Sequence, residues 1–68
     1  MSLPIANCKR IIKSAGADRV SNDAGKQLSL FLDEIGSTIS ERAVELAKHA
    51  GRKTVQIEDI QLAAEAVI

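Results

Sequence analysis

Among side chains able to do covalent or metal chemistry, this 68-residue sequence has one cysteine, Cys8, and one histidine, His49. A structural zinc site draws its four ligands mainly from those two residue types, so none is expected. A single cysteine also forbids an internal disulfide. No nucleophile can be matched with a separate base, so enzymatic activity is not expected; no cofactor is expected either. Cys8 reads as a small core residue, with a reactive thiol as the alternative. What remains is the chemistry of charge. The net charge is zero, but residues 1–20 carry +3 from Lys9, Arg10, Lys13 and Arg19 against Asp18. Residues 21–47 carry −3, residues 48–53 carry +3 through Lys48, Arg52 and Lys53, and residues 54–68 carry −3. A neutral chain arranged in such blocks can still present basic patches to a polyanion. Phe31 is the only aromatic residue, which excludes a stacking platform for single strands or splayed bases.

Three helices must position these blocks. Pro4 suits a first turn, and Ile5, Cys8, Ile11, Ile12 and Ala15 recur at helical spacing until Gly16, predicting a helix over about 4–15. Ser21 is a capping hydroxyl with Asp23 behind it. From there Leu28, Leu32, Ile35, Ile39, Ala43, Leu46 and Ala50 are spaced 4, 3, 4, 4, 3 and 4, one continuous apolar stripe. Ala24, Phe31, Val44 and Ala47 widen it. Lys48 and His49 stand in the last turn and Gly51 closes it, so the central helix spans about 21–49, roughly 43 Å. After a short link that could be extended at Thr54–Val55, a last helix begins near Ile57, with Glu58 and Asp59 in its first turn.

Residues 1–68 read as one small domain, near the limit of what a single chain stabilises without help. With no disulfide or zinc, the remaining support is association. The flanking helices, each roughly 17 Å long, could line the central helix but not enclose so broad a stripe. A second long helix crossing it could. Gly36 lies almost at the midpoint of residues 21–49, where glycine costs about 1 kcal/mol relative to alanine. Close approach of two helix backbones there is a compensating use; a merely tolerated glycine is the alternative. No apolar run approaches the ~18 residues of a membrane span, and no stretch reads as a signal peptide. A soluble, intracellular protein is expected, with neither a membrane nor a small molecule as partner.

Short helix, long helix, short helix is the pattern of the histone fold, and the residues are specific enough to name a family. The chain resembles an archaeal histone, a tailless histone-fold protein, over essentially its whole length. Leu3-Pro4-Ile5-Ala6, Arg10-Ile11-Ile12-Lys13, Ala15-Gly16-Ala17, Arg19-Val20-Ser21 and Leu46-Ala47 carry the resemblance. The run His49-Ala50-Gly51-Arg52-Lys53-Thr54, followed by Glu58-Asp59-Ile60, is its most specific part.

The resemblance implies an all-α histone fold and an obligate intertwined dimer. It also implies a double-stranded DNA partner, wrapped and compacted without sequence reading on the chromosome or nucleoid of the cytoplasm. The chain would pair with itself or a histone paralogue, with tetramers and stacked oligomers as further assemblies. The long helices would cross antiparallel, bringing the first loop of one chain beside the second loop of the other. Arg19 would then be the minor-groove arginine, positioned by Thr54, with Lys53 on phosphate. Arg10 and Lys13 are candidate contacts from the first helix, with Lys9 a weaker one, against the plain alternative of a solvated face. Arg52 resembles the family's structural clamp on Asp59 more than a DNA contact. His49 has two readings, a helix C-terminal cap or a dimer–dimer contact with Leu46, Asp59 and Leu62.

Several residues depart from the family pattern. Ser37, Gly25 and the tail Glu65-Ala66-Val67-Ile68 stand where basic residues are common, so weaker DNA binding is expected. Leu30 falls on the polar face of the central helix, as a stray surface leucine or a stacking contact between dimers, and Gly16 would permit close stacking. Glu34 and Glu65 facing across such a stack would repel, which argues against long filaments. Low charge also supports a rival reading: a histone-fold module that modulates assembly and binds DNA only weakly.

Overall fold

The computed structural model describes residues 3–68, and among them it forms three helices and no strand. They are α1, Ile5–Ser14; α2, Asn22–His49; and α3, Ile57–Val67. Each boundary falls within a residue or two of the one expected from spacing, and each has a local cause. Pro4 precedes α1 and its carbonyl accepts from the Asn7 and Cys8 amides. The helix stops at Gly16, whose φ of 119° is open to glycine and rarely to other residues. Ser21 caps α2: its Oγ accepts from the Ala24 amide at 3.0 Å. The far end of α2 is a Schellman motif around Gly51, φ 74°. The Gly51 amide donates to the Lys48 carbonyl and the Arg52 amide to the Ala47 carbonyl, both at 2.9 Å. The link then bends at Lys53 and Thr54 instead of running as a strand. A reciprocal capping box between Gln56 and Asp59 opens α3.

The chain divides into two compact units, one ending at Glu34 and the other running from Ile35 to Ile68. Helix α2 supplies residues to both. In the first unit Cys8 is fully buried and Gly25 and Ser29 are buried with it. In the second the buried set is Ala43, Ala47, Asp59 and Ala63. These buried side chains are small, while the large apolar ones stay partly in water. Phe31 is 53% exposed and Ile57 71%, and Ile35, Val44, Ile60 and Leu62 are exposed as well. Large apolar side chains left this open in one chain are surface that an association would cover. No described helix is long and apolar enough to cross a membrane.

Candidate nucleic-acid interface

Helix α1 places its cations by simple periodicity. Residues three and four apart share a face, so Ala6, Lys9, Arg10 and Lys13 line one shallow cleft of about 330 Å³. Arg10 and Lys13 are exposed, as a phosphate contact requires. Lys9 differs. It is only half-exposed, and its Nζ donates to Asn22 Oδ1 at 3.0 Å. Arg19 is exposed in the link between α1 and α2.

In the second unit the basic block surrounds a second cleft, lined by Val44, Ala47, Lys48, Arg52, Lys53 and Val55. Lys53 and Thr54 are exposed at its bend. Arg52 is turned inward: Nη1 and Nη2 donate to Asp59 Oδ2 and Oδ1, each at 2.8 Å, and Nη1 also reaches the Thr54 carbonyl at 3.1 Å. The Gln56 amide donates to Asp59 Oδ2 at 2.8 Å. Asp59 is 4% exposed, and these donors offset its desolvation. The Arg52 hydrogen bonds, then the Gln56 amide, hold its carboxyl down at about 2. Reciprocally, the bond to Asp59 raises the Arg52 guanidinium. One fork thus ties the second loop to the first turn of α3, and it fixes the backbone on which Lys53 and Thr54 sit.

The other expected site residues fall as follows. His49 is the last residue of α2 and exposed, Leu62 is exposed, and Leu46 is half-buried. Gly36 is open: a β-carbon added there would meet nothing within 4 Å. Gly16 is exposed at its turn. Leu30 lies beside the N-terminal segment, in a cleft of about 440 Å³ shared with Leu3, Pro4, Ile5, Lys26 and Ser29. Among the described residues no group of His, Cys, Asp and Glu could hold a metal ion.

Three structural residues escaped the reading of the sequence. A β-carbon on Gly25 would lie 2.8 Å from Lys9 Cγ and 2.9 Å from Ile5 Cγ2, so Gly25 is where α1 packs against α2. Ser29 Oγ donates to the Leu3 carbonyl at 2.7 Å, and Asn22 holds Lys9. The signal was present in the spacing: Gly25, Leu28 and Leu32 continue the stripe backward at steps of 3 and 4.

The family model for histone-like transcription factors (CBF/NF-Y) and archaeal histones matches residues 1–64. The chain belongs to this family. As a histone-fold protein it is 52% identical over 64 residues to one of the subunits of the archaeal histone HAN1 of Thermococcus zilligii, covering 94% of this chain and 96% of the relative. To the probable archaeal histone 3 of Methanocaldococcus jannaschii it is 54% identical over 61 residues, covering 90% and 91%. The all-α histone fold is therefore the fold of this chain, and its family is one of structural proteins, not enzymes.

Proposed function

We propose that this histone binds double-stranded DNA without sequence specificity and, as a dimer, wraps and compacts it on the chromosome. The observation that carries this is the placement of exposed cations on a chain of zero net charge. Arg10 and Lys13 stand on one face of α1, Arg19 in the first link, and Lys53 with Thr54 at the bend of the second. Crossing of two α2 helices at the open Gly36 would cover the apolar stripe. It would also bring Arg19 of one chain beside Lys53 of the other, about 34 residues on in sequence terms. Arginine in the inward minor groove with lysine and backbone amides on phosphate would then grip the duplex without reading its bases. The names of the two relatives support the reading.

Larger assemblies follow from the same dimer. Leu46, His49 and Leu62 would form a dimer–dimer contact, to which Asp59 brings little free capacity because its oxygens already accept from Arg52 and Gln56. Gly16 and Leu30 would face a stacked neighbour. Zero net charge is the observation behind a second reading, a subunit that pairs with another histone and modulates assembly. Duplex binding by the wild type and by the Arg19→Ala/Lys53→Ala double variant separates the two. Micromolar or tighter binding that the double variant loses supports packaging; binding that is absent, or unchanged in the variant, contradicts it.

A further inference from the structure

Lys9 is held against α2 at both ends of its side chain. Its Cγ lies where a β-carbon on Gly25 would come within 2.8 Å, so the stem of Lys9 covers the glycine. Beyond the stem, Nζ donates to Asn22 Oδ1 at 3.0 Å. Ile5, one turn earlier on α1, closes the other side of the same glycine at 2.9 Å. Further along, Ser29 Oγ holds the Leu3 carbonyl at 2.7 Å. A lysine can lay its methylenes on an apolar surface and still keep its head solvated, but here the head is turned to an amide of the neighbouring helix. Extended outward like the exposed Arg10 and Lys13, Lys9 would lift its stem from Gly25 and release Asn22; held as it is, it spends one of its three N–H donors within the protein.

We propose that Lys9 is a positioning residue and not a DNA contact: seated on Gly25 and tied to Asn22, it fixes how α1 presents Arg10 and Lys13. The inference rests on the reading of α1 as a DNA-binding surface. Lys13 stands about 40° round the helix from Lys9 and about 6 Å further along, so a displaced Lys9 seat moves Lys13 with it. Gly25 is the matching half of the device. Position 25 has no side chain because the stem of Lys9 occupies that space.

The test uses the full-length chain and two readouts, the salt dependence of duplex binding and amide hydrogen exchange of α1 without DNA. Lys9→Met keeps the stem and removes the charge. It should leave the slope of log affinity against log salt at the wild-type value and, with only the tie to Asn22 lost, accelerate α1 exchange less than Lys9→Ala does. Gly25→Ala removes no charge but displaces the stem; it should accelerate α1 exchange and weaken binding by about tenfold. Lys9→Ala, which removes the stem without crowding the helix, should also accelerate exchange. If Lys9→Met instead flattens the slope by roughly 1.8 per dimer, the value for two lost phosphate contacts, the proposal is wrong. Equal exchange rates in all three variants would also overturn it. Failure of the wild type to bind any duplex would contradict the DNA reading, and the exchange rates would still decide the lock.

Discussion

In the first unit α1 lies so close to α2 that a single methyl group at Gly25 would collide with Lys9 and Ile5, whereas in the second a charged fork between Arg52 and Asp59 ties the loop to α3. One is closed by volume, with Cys8 and Gly25 buried and Ser29 tied to the Leu3 carbonyl. The other buries Ala43, Ala47 and Ala63 and is tied by charge at Asp59, and it contains Gly36, where an added β-carbon would meet nothing within 4 Å. The same residue type therefore does opposite things on one helix. At position 25 glycine admits a neighbour from its own chain, and at position 36 it borders open space that the proposed crossing would fill. Volume and charge also respond to different insults, which makes the contrast testable.

The largest effect is expected at Gly36. Were that face in water in the working molecule, Gly36→Ala would stabilise the helix by about 1 kcal/mol. A helix crossing predicts the opposite sign, with a lower Tm for Gly36→Ala and loss of the dimer in sedimentation for Gly36→Leu. A more stable alanine variant that stays dimeric would remove the crossing from the account.

Acid should separate the units next. Asp59 titrates at about 2, below its ordinary 3.8, so its contribution is complete above the ordinary value and is lost as pH falls from there through about 2. Between those limits amide exchange should rise around the second loop and the start of α3 before it rises in α1. Asp59→Asn should lower Tm at neutral pH and blunt that acid response. An identical acid profile for the variant would show that the fork is not what closes the second unit.

The smallest effect belongs to Ser29→Ala. Losing one neutral hydrogen bond to the Leu3 carbonyl should cost about 1 kcal/mol, with faster exchange near the start of α1 and no change at α3. A change at α3 of equal size would mean that the units are not closed independently.

Helix limits were legible in the sequence because caps and stops are local. Ser21, Gly16 and Gly51 act on their own turns, and the structure puts the α2 cap at Ser21 and positive φ at both glycines. The family was legible because its most specific run, His49 to Thr54, is contiguous. Packing partners were harder to see. Whether a glycine is a seat or a gap depends on what another helix brings to it, so Gly25 passed as a missing basic residue. That Lys9, the weaker of the α1 candidates, is bonded to Asn22 was hidden for the same reason, since the bond spans a turn of chain whose path composition does not give. Asp59 drew two roles from one letter, and only its geometry shows both oxygens already engaged within its own chain.

The most direct measurement is the affinity of the wild-type dimer for two unrelated duplexes between about 50 and 200 mM salt. If Arg10, Lys13, Arg19 and Lys53 of each chain meet the duplex as proposed, about eight cations would be engaged, and affinity should fall by roughly 10³ to 10⁵ over that range. The two duplexes should bind alike at every salt concentration. A dimer that ignores DNA at the lowest salt, or binds it with no dependence on salt, would contradict the account.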